Sequence, residues 1–287
     1  WGYQIRYDIG VTGLSRPNFW GFYITNFVFW IGISHAGTLI SAILRVTGAE
    51  WRRPVTRCAE AITVFALCVG GLLPLIHLGR PWLFYYMVPI PSQGLLWPNF
   101  NSPLVWDILA ITTYLTGSVL YLALPLLPDF AILRDRNLRS NPSGFRARLY
   151  SLLAAGWRGT PQQWHSLEQG IRVMAIIIIP VAVSVHTIVS WDFAMTLQPM
   201  WHSTIFGPYF VAGAIYSGIA MLLVTMYILR RGLGLQQYLS DAVFNNLSLL
   251  FIAMALIWAY FTFAEHLTVF YGNQHAEMAV YNERISG

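Results

Sequence analysis

Six ionisable side chains fall inside long apolar stretches of this sequence: His35, His77, Asp107, His186, Glu265 and His266. At membrane depth an ionisable group costs roughly 2.5–3.5 kcal/mol on insertion scales, so such residues point to a chemical task. His77 closes one apolar stretch and Asp107 opens the next. A carboxylate and an imidazole at one depth on consecutive antiparallel helices can share a hydrogen bond and act as a general base on a weakly acidic hydroxyl. The segment His77-Leu-Gly-Arg80-Pro-Trp82 adds a fixed cation within reach of Asp107 or of Asp192. A hydroquinone is a substrate of the matching kind. It dissolves in a bilayer and loses two protons as it loses two electrons.

These groups must be carried by membrane helices. The chain is 56% hydrophobic and only 10% charged, where soluble domains carry about 25% charged residues. The expected fold class is an all-α polytopic membrane protein. Six spans are predicted: Phe19–Leu44, Cys58–Leu78, Leu104–Leu126, Gly170–Val189, Ile205–Leu229 and Val243–Phe270. Each is near or above the ~20 residues that cross a bilayer. Counting about 1.5 Å per residue from span midpoints puts His77, Asp107, His186, Glu265 and His266 about 10–13 Å toward one face. His35 alone falls about 5 Å into the other half, without a partner at its depth.

Charge bias sets the orientation. All 17 basic residues are Arg. They crowd the connections after the first, third and fifth spans, including the 128–165 segment, which is expected to be an Arg-rich cytoplasmic loop. The opposite side holds the 79–103 segment, an outward loop rich in Pro and aromatic residues. That loop suits docking a partner or covering a pocket. Trp82 and Trp106 lie close enough to the His77–Asp107 layer to line such a pocket. The chain opens on Trp1 and ends without a tail-like composition, so it is expected to be one transmembrane domain, 1–287, from the middle of a longer protein.

Several functions are excluded. Without Lys there is no Schiff-base or P-loop chemistry. Two cysteines, Cys58 and Cys68, cannot alone hold an iron–sulfur cluster. No metal site is expected, and the net charge of +5 reflects membrane loops rather than nucleic acid binding. A haem b held by His77 and His186 stays open as an alternative, although a second haem would lack ligands. A structural anchor that binds no quinone is another. Small residues at four-residue spacing, Ser34 with Thr38, Gly37 with Ser41, Gly213 with Ser217 and Ala214 with Gly218, are expected to let helices approach closely.

Several blocks carry a resemblance. Phe19-Trp-Gly-Phe-Tyr through Ser34-His35-Ala-Gly-Thr38, Ile76-His77-Leu-Gly-Arg80-Pro-Trp82 and Trp97-Pro-Asn-Phe-Asn-Ser-Pro-Leu-Val-Trp-Asp107 are three of them. Ser184-Val-His186-Thr-Ile-Val-Ser-Trp-Asp192-Phe and Thr204-Ile-Phe-Gly-Pro-Tyr are two more. Together they resemble NrfD-type membrane subunits of polysulfide reductase. The Ser34–Thr38 variant looks like the ActC branch found in alternative complex III, with the ActF paralogue close behind. The resemblance implies two four-helix bundles in the full-length family and no metal or haem in this chain. It implies a bacterial inner-membrane complex that oxidises menaquinol. The expected partners are a periplasmic ActB-like iron–sulfur subunit, multihaem cytochrome c subunits, an ActF-like paralogue, other membrane subunits and lipid. His77 and Asp107 would be the catalytic pair lining a quinol pocket, with Arg80, Asp192, Trp82 and Trp106 close by. Ser34, His35 and Thr38 would belong to a candidate proton path, and the ionisable residues His186, Glu265 and His266 extend it.

Overall fold

The computed structural model describes residues 1–14, 21–88 and 103–286. Helix dominates because the spans leave backbone groups no partner except their own chain. A short α1 (Gly2–Tyr7) precedes α2 (Phe22–Val46), α3 (Arg53–His77) and α4 (Pro103–Ser140). Then follow α5 (Phe145–Leu153), α6 (Pro161–Ala194), α7 (Phe206–Gly232), α8 (Asp241–Gly272) and α9 (His275–Ser286). Single 3-10 stretches lie at Ile9–Thr12, Glu50–Arg52 and Pro81–Met87. The six helices α2, α3, α4, α6, α7 and α8 are long and apolar enough to cross a membrane. The molecule is a multi-pass membrane protein.

Helix α2 is the axis of the packing, with 78% of its most apolar window buried. Helices α3, α6 and α7 pack around it, α4 packs on α6 and α3, and α8 leans on α7. Small residues make these approaches possible. Gly37 faces the Ala59 carbonyl and the Thr63 hydroxyl of α3, Gly218 of α7 faces Ala36, and Gly32 lies against Ala214. Three of the four-residue pairs read from the sequence therefore serve close contact, through Gly37, through Gly213 against Trp258 of α8, and through Gly218. Ser34 and Thr38 take part in hydrogen bonding instead.

The helices overrun their predicted ends. The 128–165 segment is mostly helical rather than a loop, since α4 continues to Ser140 and α5 occupies Phe145–Leu153. Its Arg, Leu and Ala residues are strong helix formers even where no membrane-length apolar pattern remains. Pro125 and Pro128 lie inside α4. There Arg57 of α3 clamps the helix, donating from Nη2 to the Pro125 carbonyl at 3.0 Å and from Nη1 to Asp129 at 2.6 Å. Both partners of this ion pair are nearly half exposed, so Asp129→Asn should lower stability by under about 1 kcal/mol in a thermal melt. Helix α6 starts at Pro161 with a capping box. Thr160 Oγ1 accepts from the Gln163 amide at 3.2 Å, and the Gln163 side chain accepts back from the Thr160 amide.

Candidate functional site

Two groups of buried polar residues converge between α2, α3, α4 and α6. The first lies toward the end of α6 remote from the Arg-rich helix ends. Asp107, near the start of α4, and Asp192, near the end of α6, are 6% and 8% exposed, and their carboxyl groups face one another. The Oδ1 oxygen of each is buried without a hydrogen-bond partner. Two carboxyls this close in a dry site repel unless a proton lies between them. Such a pair can share one proton between its two carboxyl groups. Trp106 stands edge-on to Trp191 with ring centroids 6.0 Å apart, beside the pair on both helices.

The spacing predicts Asp107 with His77, and no hydrogen bond joins those two among the described residues. His77 closes α3, half-buried, with its ring edge-on to Tyr23 at 6.0 Å and a buried Nδ1 that has no partner. Gln4 of α1 ties this corner together. It donates to the Ile76 carbonyl at 2.9 Å and accepts from Tyr23 Oη at 2.7 Å. Arg80 is exposed and reaches Asp8 at 3.9 Å, not Asp107 or Asp192. Trp82 is 55% exposed. Most of the 79–103 loop lies outside the described residues.

The second group centres on His35. Sequence counting separates His35 from His186 by most of a half-bilayer, and the structure brings their ring centroids to 4.9 Å. Span midpoints therefore do not mark a common depth. His35 stacks on Tyr114 of α4, centroids 4.0 Å apart and rings 4° from parallel. Its Nδ1 lies 2.7 Å from the Ile31 carbonyl. Neither His35 Nε2 nor His186 Nδ1 has a partner. A porphyrin cannot fit between imidazoles this close, and no ring contact joins His77 to His186 among the described residues.

From His35 a run of hydroxyl and carboxyl groups follows α2 toward the Arg-rich end. Tyr114 Oη donates to the Ser34 carbonyl at 3.0 Å. Thr38 Oγ1 donates to Thr63 Oγ1 at 3.1 Å, and Thr63 Oγ1 is 3.0 Å from the Ser34 carbonyl. One turn further, Ser41 Oγ donates to Glu60 Oε1 at 2.8 Å and lies 3.2 Å from Tyr121 Oη. Arg45 and Arg57 face the Glu60 carboxylate. Ser34, His35, Thr38, Ser41, Glu60 and Thr63 are all at most 2% exposed.

Glu60, Thr63, Tyr114 and Tyr121 are absent from the sequence-based site. A signal is available. Ser34, Thr38 and Ser41, like Tyr114, Ser118 and Tyr121, follow spacings of four then three residues that put them on one helix face. Glu265 and His266 stay local. Glu265 accepts from Ser203 Oγ at 2.7 Å, and His266 Nδ1 is 2.8 Å from the Thr262 carbonyl. Neither contacts the buried groups just described. Among the described residues no cluster of His, Cys, Asp or Glu could hold a metal ion.

Comparison with known proteins agrees with the architecture. The family model described as polysulphide reductase, NrfD, matches residues 10–282. The chain is 29% identical over 235 residues to a putative dimethyl sulfoxide reductase membrane subunit of Halobacterium salinarum, covering 80% of this chain and 48% of that protein. It is 24% identical to a selenate reductase subunit of Mesobacillus selenatarsenatis, covering 96% and 63%. It is 21% identical to an Hdr-like menaquinol oxidoreductase integral membrane subunit of Archaeoglobus fulgidus, covering 93% and 56%. The chain thus spans less than two thirds of the length of these relatives.

Proposed function

The chain belongs to the polysulphide reductase NrfD family, and from that premise we propose that it is the quinol-oxidising membrane subunit of a multi-subunit oxidoreductase of the alternative complex III type. The observation that carries this reading is the buried Asp107–Asp192 pair, each carboxyl with one oxygen that no protein donor satisfies. A quinol hydroxyl is a donor of the right kind for such an oxygen. Asp107 and Asp192 accept one proton, His77 accepts the second, and both are released at the outer face. The two electrons would be taken up by the partners this reading calls for, a periplasmic iron–sulfur subunit and multihaem cytochrome c subunits. Trp82 and Trp106 line the approach. The name of the Archaeoglobus relative supports menaquinol as the substrate.

The run from His35 through Thr38, Thr63 and Ser41 to Glu60 supports a second task, a proton path toward the Arg-rich face, taken to be cytoplasmic. Glu60 is its inner proton carrier. Glu60→Gln should lower the protons appearing at the outer face of sealed vesicles to the two that each quinol itself releases, while quinol oxidation persists in detergent. Vesicle acidification equal to wild type would remove Glu60 from the path. The site itself is tested by photolabelling the purified complex with a photoreactive menaquinone analogue. Label is expected on peptides containing Asp107 and Asp192. Label confined to other subunits would favour the anchor reading, in which this chain binds no quinone.

A further inference from the structure

At the Arg-rich ends of α2 and α6 a cavity opens, of about 510 Å³, lined by Arg45, Gly48, Arg52, His165, Glu168 and Arg172 among others. We propose that it holds the phosphodiester headgroup of an anionic phospholipid.

Charge argues for an anion. Three guanidinium groups meet one carboxylate, Glu168, in the lining. None of Arg45, Arg52 and Arg172 belongs to an ion pair among the described residues. Arg45 turns toward Glu60 and Tyr121 on one side, and its Nε is buried without a hydrogen-bond partner. Arg52 spends one donor on the Ala49 carbonyl at 3.1 Å and keeps the rest. Planar guanidinium donors match phosphate oxygens better than any other side chain.

The surroundings argue for a lipid rather than a free anion. His165, Gln169, Arg172 and Ile176 succeed one another at spacings of four, three and four, so they share one face of α6. That face passes from the cavity directly onto membrane-exposed apolar surface, where Val173, Ile176 and Ile177 are 54%, 54% and 49% exposed. On α2 the cavity residue Val46 is followed one turn deeper by Ile43, also exposed. Trp164, at 47% exposed, stands at the same helix end, where indole rings favour the headgroup level. A cationic pocket that runs into a lipid-facing apolar strip fits an amphiphile with a negative head.

The test uses the assembled complex carrying the full-length chain, purified with its native lipids and then exchanged with dioleoylphosphatidylglycerol or dioleoylphosphatidylcholine. Bound lipid is counted by native mass spectrometry. The wild type is expected to retain phosphatidylglycerol preferentially. The double variant Arg52→Gln/Arg172→Gln should weaken that retention by at least about tenfold, in line with the contribution of basic residues near anionic lipid. Arg136→Gln/Arg139→Gln, at a different Arg-lined cavity on α4, should leave it unchanged, and Arg52→Lys/Arg172→Lys should keep the preference while confirming that the fold tolerates change here. Equal retention of the two lipids by wild type, or phosphatidylglycerol retention untouched in the double Gln variant, overturns the proposal. Displacement of the lipid by millimolar inorganic phosphate would identify a free anion as the occupant and overturn it as well.

Discussion

Asp107→Asn should lower menaquinol-dependent turnover of the assembled complex by at least about 100-fold, the range expected when a general base is removed. The substitution nearly preserves shape. It removes the group that can take up a proton and leaves an amide facing Asp192. Because the two carboxyls face one another, they act as a unit and their losses do not add. Asp192→Asn should cost nearly as much as Asp107→Asn, and the double variant little more than either. The comparison is made by steady-state quinol oxidation with complex assembly verified by size-exclusion chromatography. Additive losses would mean that the carboxyls serve separate tasks.

A large structural effect is expected at Gly37. A Cβ there would meet the Ala59 carbonyl oxygen and the Thr63 hydroxyl. The hydroxyl can rotate, whereas the carbonyl belongs to the backbone of α3 and cannot move without separating two packed helices. Gly37→Leu should therefore destabilise the protein by about 3 kcal/mol or more, at the upper end of overpacking costs. Against a total stability of about 5–15 kcal/mol this should sharply reduce the amount of assembled complex. Gly71 lies on the same helix as Ala59, and a Cβ added there would meet no atom within 4 Å. Gly71→Ala should accordingly be neutral or stabilising by up to about 1 kcal/mol, since it replaces the weaker helix former. Thermal melts of both variants in one detergent distinguish the two sites.

What is legible in the sequence follows from what hydrophobicity encodes. The six spans are readable because little besides a bilayer calls for apolar runs of that length. The ends of α4 and α6 are not, because beyond the bilayer their Arg-rich turns lose the apolar signal while keeping helical preference. Asp107 and Asp192 stand out as carboxyls beside Trp residues at span ends, but which partner each faces depends on helix rotation. Depth counting cannot supply rotation, so it matches Asp107 with His77 although Asp107 faces Asp192. The same error hides the contact between His35 and His186. Glu60 escapes notice because it sits three residues after Arg57 at a span boundary, where a charge reads as an interfacial end. Its burial comes from α2 and α4 closing over it through Ser41 and Tyr121, a tertiary fact. Tyr114 reads as ordinary core until its ring is found stacked on His35.

The Asp107–Asp192 pair is expected to take a proton from quinol. Redox-induced infrared difference spectroscopy of the purified complex tests it most directly, since a carboxyl group that gains or loses a proton changes its C=O stretching band. Turnover from the quinol-reduced to the oxidised state should produce such a band in the wild type, and it should disappear in both Asp107→Asn and Asp192→Asn. A carboxyl band of wild-type size and position in both variants would contradict the account and assign the proton acceptor elsewhere.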